Sequence, residues 1–107
     1  MFNWIRSFFN SDVQALGVPR SGEWPRIRKE HLVKEPECQV CSKKDSLEVH
    51  HIIPFNIDNK KELCDENLIT LCEHCHILFG HLMNWKSYNE HVREDARTWQ
   101  KKIENRP

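Results

Sequence analysis

Two short cysteine pairs, Cys38-x-x-Cys41 and Cys72-x-x-Cys75, constrain this chain more than any other feature. A C-x2-C knuckle presents two soft sulfur ligands from one tight turn, and two knuckles supply the four donors that zinc favours in a closed tetrahedral site. The 30 residues between them, 42 to 71, exceed the spacing of a short ribbon, so the intervening chain must itself be structured, as by a hairpin that leaves one knuckle and returns to the other. Two disulfides or four unrelated thiols are the competing readings. No secretory segment is recognisable before the knuckles, and a fifth cysteine, Cys64, makes the count odd, which argues for zinc over a disulfide framework. Cys64 is expected to be an ordinary half-buried thiol.

With 107 residues the chain has room for one domain and a modest core, which a structural zinc would supplement with folding free energy. Sixteen basic and sixteen acidic residues leave no net charge, so attraction to a polyanion must come from local segregation of charge. No stretch approaches the roughly 20 apolar residues needed to span a bilayer. Residues 1–10 lack the features of a signal peptide. These observations predict a cytoplasmic protein with no membrane partner.

Residues 1–22 read as an amphipathic arm, with Phe2, Ile5, Phe8 and Phe9 at helical spacing, followed by a linker rich in glycine, proline and serine. Residues 23–107 read as one domain. Pro25 suits the first turn of a helix that runs to about residue 35, and Pro36 stops it. Residues 47–53 and 68–71 read as strands, and a helix follows Cys75 until Gly80 weakens it. Val92, Ala96, Trp99 and Ile103 place one apolar face on a terminal helix over about 90–105. The fold class is small α+β: a ββα core over about 38–81, bearing the two zinc knuckles and flanked by N-terminal and C-terminal helices.

Within the core, His50 and His51 are adjacent on a strand, where neighbouring side chains point to opposite faces. They are therefore expected to divide the work, one ligating a metal ion and the other accepting a proton from water. Asn67 heads the second strand, where its amide can hold an imidazole or a loop backbone. His76, placed by Cys75, can reach an ion that His50 also touches. A zinc ribbon with bystander histidines is the plainer alternative. It accounts poorly for paired strand histidines, an asparagine and a histidine after the knuckle occurring together.

The runs VHHIIP and ENLITLCEHCH, framed by the two knuckles, resemble the HNH, or ββα-metal, endonuclease family over about residues 38–81. The resemblance implies a metal-dependent endonuclease acting on DNA, double-stranded by preference, with His50 and His76 on a catalytic divalent ion, His51 as general base and Asn67 as the family's asparagine. It also implies a structural zinc on Cys38, Cys41, Cys72 and Cys75, and a setting that includes a homodimer or a larger phage or restriction assembly. Many members carry aspartate at the position of His50. An imidazole there accommodates Mn2+, Ni2+, Co2+ or Zn2+ more readily than Mg2+. Some members add a histidine one helical turn beyond the His76 position, which here is Gly80. His81 lies about 140° around an ideal α-helix from His76 and is a further ligand only if the helix unwinds at Gly80. Arg26, Arg28 and Lys29 on the N-terminal helix are the expected phosphate contacts, close to the knuckle end of the core. The alternative function is a non-catalytic zinc module that binds nucleic acid or protein. His31, His74 and His91 are expected to sit on exposed or half-exposed positions without chemistry.

Overall fold

The computed structural model describes residues 20–107, so all but the last three residues of the predicted arm and linker lie outside the described residues. Strands β1 (Leu47–His51) and β2 (Leu68–Cys72) pair antiparallel, with Leu47 opposite Cys72 and His51 opposite Leu68. One end of the ribbon therefore carries a zinc-knuckle cysteine and the other carries His51. All five residues of β2 are buried. A strand covered on both faces favours apolar side chains, and Leu68, Ile69 and Leu71 each contribute about 1.5–3 kcal/mol by leaving water, with Thr70 buried among them.

Helix α1 (Trp24–Lys34) begins with Pro25 in its first turn and packs across the ribbon. The short helix α2 (Glu73–Cys75) grows directly from β2 and continues as a wider π turn over His76–Gly80. Helix α3 (Val92–Glu104) closes the domain. Its first two turns drop Val92 and Ala96 into a core with Val40, Ile52, Ile69 and Leu71, whereas Trp99 and Ile103 on the same stripe remain 43% exposed. The predicted apolar face is thus seated only over its first half.

Three elements are tied together by Glu35. Its carboxylate accepts hydrogen bonds from the His31 ring (2.9 Å), the Thr70 amide (3.1 Å) and the Arg93 guanidinium (2.9 Å). Arg93 also donates to the Leu68 carbonyl at 2.8 Å. Burial opposes the Glu35 charge, but these three donors outweigh it and hold the carboxyl down at about 2. The sequence placed His31 among exposed or half-exposed bystanders. It is instead 3% exposed, because Glu35 and Asp65 take both its ring nitrogens and make its burial tolerable. His74 and His91 are exposed, as expected. Cys64, expected to be half-buried, is exposed and belongs to neither ligand cluster.

Candidate metal centres and active site

The four knuckle cysteines converge: their sulfurs all lie within 4.8 Å of one another, with Cys41 and Cys72 at 3.7 Å. The first knuckle is a tight turn in which the Ser42 amide bonds the Cys38 carbonyl and the Cys38 amide bonds the Lys43 carbonyl. That closure puts Ser42 at a φ of 66°. The Cys75 thiol beside Cys38 favours its thiolate against burial, and the amides of Cys41, Cys72 and Val40 assist, so the Cys38 thiol lies well below the ordinary range. None of the four is in a disulfide. Such a donor set suits zinc.

A second cluster forms from His50, His76 and His81, whose offered nitrogens also lie within 4.8 Å of one another. The ring centroids make a nearly equilateral triangle: 4.8 Å from His50 to His76, 4.8 Å from His50 to His81, and 4.9 Å from His76 to His81. Each ring arrives from a different element. His50 comes from β1, His76 from the start of the π turn, and His81 from the residue just after it. A π turn closes i to i+5, and that widening brings together side chains five apart that an α-helix would separate. The condition set by the sequence, that the helix must depart from α geometry near Gly80, is met. Leu82 and Met83, at φ of 53° and 68°, then reverse the chain, and the Met83 amide bonds the Ile77 carbonyl at 2.8 Å.

Hydrogen bonds decide which nitrogen each ring offers. His81 donates its Nδ1 hydrogen to the Ser87 carbonyl at 2.8 Å, leaving Nε2 with the lone pair. His76 Nδ1 lies 2.6 Å from Glu48 Oε1. His50 Nε2 is buried and has no hydrogen-bond partner. An orphaned buried imidazole nitrogen beside two rings committed through Nδ1 has the chemistry of a metal-ligating set. Burial, then the neighbouring histidines, pushes His50 well below its ordinary value, and burial lowers His81 to about 4. Both rings are therefore neutral near pH 7, the state that ligates a cation. Gly80 belongs to the same device, since a Cβ there would lie 3.1 Å from His50 Nε2. Trp85 walls the cluster with its ring at 4.8 Å from His81 and 5.3 Å from His76.

His51 points to the other face of β1. Its Nε2 hydrogen is donated to the Glu62 carbonyl at 2.9 Å, which makes Nδ1 the basic nitrogen. Trp24 of α1 lies over the ring with centroids 4.4 Å apart. Burial lowers His51 to about 4 while the Glu62 carbonyl acts in the opposite sense. Asn67 touches no imidazole: its amide clasps the loop backbone, accepting from the Ile53 N–H (2.8 Å) and donating to the carbonyls of Ile53 (3.0 Å) and Lys61 (3.2 Å). It thereby fixes the loop that carries Glu62. The Glu62 carboxylate is itself buried and binds Arg20 Nε at 2.9 Å and the Ser21 amide at 3.1 Å.

Trp24 packs on His51, so the first turn of α1 lies at the His51 end of the ribbon. Arg26 is exposed but forks between Glu23 and Glu30, whereas Arg28 and Lys29 form no ion pair among the described residues. Sequence reasoning did not assign Trp24, Glu48, Glu62 or Ser87 a place in the site. For Glu48 a signal existed, since it stands two residues before His50 on the same strand face. Ser87 and the Glu62 carbonyl act through backbone atoms, which leave no residue signature.

Residues 38–79 match the family model described as HNH endonuclease. That segment, with its two knuckles, its two-stranded ribbon and the helix that follows, is consistent with a ββα-metal HNH core, and the gathered cysteines are consistent with the zinc-knuckle subtype. The match contains His50, His51, Asn67 and His76 and ends two residues before His81. No curated protein and no solved structure matches the chain. Among the described residues no helix is long and apolar enough to cross a membrane.

Proposed function

We propose that this protein is a metal-dependent endonuclease that hydrolyses DNA phosphodiester bonds, and that its two clusters serve different ends. Cys38, Cys41, Cys72 and Cys75 hold a structural zinc; His50, His76 and His81 hold a catalytic divalent ion. Three imidazoles suit Mn2+, Ni2+, Co2+ or Zn2+ better than Mg2+. When bound, the ion supplies Lewis-acid stabilisation of the charge that develops on the phosphate and the leaving oxygen. His51 accepts a proton at Nδ1 from the attacking water, held in orientation by the Glu62 carbonyl and by Trp24. Asn67 is a positioning residue that keeps the Glu62 loop in register. Hydrolysis in this sense leaves a 5′ phosphate and a 3′ hydroxyl.

The observation that carries the reading is the opposite disposition of two adjacent imidazoles. His50 turns an unpartnered Nε2 into a cluster of three rings, while His51 turns away with its Nε2 occupied and its Nδ1 basic. A binding module has no use for that division. On this reading DNA is engaged by the outer face of α1, chiefly through Arg28 and Lys29, with Arg26 joining once it releases its glutamates. A neutral domain of this size gains further duplex contacts as a homodimer or within a larger phage or restriction assembly. A reducing cytoplasm keeps the four thiols available to zinc.

The test is incubation of supercoiled plasmid with the purified chain across a panel of divalent ions, with His51→Ala in parallel. The expected outcome is ion-dependent nicking or linearisation, lost by about 10²–10⁴-fold in the variant, the usual worth of a general base. Plasmid left intact with every ion would reject the nuclease reading.

A further inference from the structure

Strand geometry places Glu48 and His50 on one face of β1, two residues apart, so both side chains reach toward the helix that follows β2. His50 joins the triangle of rings; Glu48 reaches the outer edge of one of them. Its Oε1 lies 2.6 Å from His76 Nδ1, with the two side chains only 13% and 15% exposed. A carboxylate can only accept here, so Nδ1 carries the hydrogen. A ring protonated at Nδ1 carries its lone pair at Nε2, the nitrogen that can ligate a cation. Little water competes for the contact, which strengthens it and restricts rotation of the ring. The carboxylate also sets one negative charge beside a cluster of imidazole donors, where it would help offset a divalent cation. His81 is locked in the same sense by the Ser87 carbonyl, a backbone group that side-chain substitution cannot delete. Glu48 can be deleted.

We propose that Glu48 is a positioning residue of the histidine cluster: by accepting the Nδ1 hydrogen of His76 it fixes the tautomer and orientation that present Nε2 to the divalent ion. Its relevance to catalysis rests on the endonuclease reading above, whereas its effect on the His76 ring does not. Glu48 neither touches the reacting atoms nor ligates the ion.

The experiment uses the full chain with its cysteine site filled by zinc, as wild type, Glu48→Gln and Glu48→Leu. Long-range 1H–15N correlation spectra read the His76 tautomer, and visible absorption follows Co2+ entering the histidine cluster. Wild type should show His76 protonated at Nδ1. Glu48→Gln, whose amide oxygen still accepts, should keep that tautomer and bind Co2+ within a few-fold of wild type. Glu48→Leu should populate both tautomers and weaken Co2+ binding by about 10–100-fold, the usual effect of removing an outer-shell partner. A His76 ring protonated at Nε2 in wild type would overturn the proposal, as would Glu48→Leu that binds Co2+ as tightly as wild type. Wild-type chain that takes up no second ion would instead contradict the endonuclease reading, and the tautomer would still decide the role of Glu48.

Discussion

The cysteine and histidine clusters each gather their donor atoms within 4.8 Å, yet they are built by different means. The sulfurs come from two knuckles whose ligands are close in the chain, closed by backbone hydrogen bonds and buried except at Cys41, with the Cys41–Cys72 contact at 3.7 Å. The histidine nitrogens come from three elements, and two of the rings are held by hydrogen bonds of their own, to Glu48 and to the Ser87 carbonyl. Four sulfurs gathered this closely repel one another as thiolates, so their cluster depends on its ion for its shape. A cluster braced from behind keeps its shape and leaves the ion exchangeable. On the endonuclease reading, the difference separates a centre that maintains the fold from one that performs chemistry in it.

The comparison is broken most severely by removing one donor from each side. Cys72→Ser should leave the chain unfolded or insoluble, because structural zinc in small domains contributes on the order of 10 kcal/mol or more. His76→Ala should keep a wild-type circular dichroism spectrum and melting temperature to within a few degrees while losing the second ion. Equal unfolding of both variants would erase the distinction. Next in size is His51→Ala, expected to abolish cleavage while calorimetry finds the divalent ion bound nearly as tightly as in wild type. If it loses the ion as badly as His50→Ala, the two neighbouring histidines have exchanged roles.

Much of this contrast was legible in the sequence, but unequally. The sulfur centre announces itself because a knuckle's ligands are close in the chain, so spacing alone predicts proximity. The ribbon was also legible: the apolar run from Leu68 to Leu71 and the stop at Pro54 delimit it to within a residue or two. The histidine triangle was only half visible. Nothing in His76-Ile77-Leu78-Phe79-Gly80 demands an i to i+5 turn, and an α-helix would have carried His81 away. The wide turn depends on tertiary contacts, Gly80 against the His50 ring and Ser87 behind His81, which lie far apart in the chain or run through backbone atoms. Glu35 was missed likewise, since its partners stand 4, 35 and 58 residues away.

Smaller effects sharpen the contrast. Glu35→Gln removes a charged acceptor that binds α1, β2 and α3 at once, and should cost up to about 3 kcal/mol at pH 7 by the linkage between proton binding and folding. The sign follows from a folded carboxyl at about 2 against an ordinary 4.5. Its contribution is complete above pH 4.5 and disappears as pH falls toward 2, so denaturation curves of variant and wild type should converge over that window. Gly80→Ala presses a methyl group against the His50 ring and should cost about 1–3 kcal/mol, as overpacking does, with a matching loss of affinity for the second ion and the zinc retained. Last, neutralising Arg26, Arg28 and Lys29 together should flatten the log–log salt dependence of duplex binding by up to roughly 0.9 per lost phosphate contact. Arg26, already paired with two glutamates, should contribute least. An unchanged slope moves the DNA-binding face off α1.

Two metal centres of different dependence in one small domain are tested most directly by native mass spectrometry of the full chain, washed with chelator and then titrated with Ni2+. Wild type is predicted to retain one zinc per chain through the wash and to add one nickel, and the His50→Ala/His76→Ala double variant to retain the zinc and add none. A double variant that takes up nickel as wild type does, or a wild type that never exceeds one ion per chain, would contradict the account.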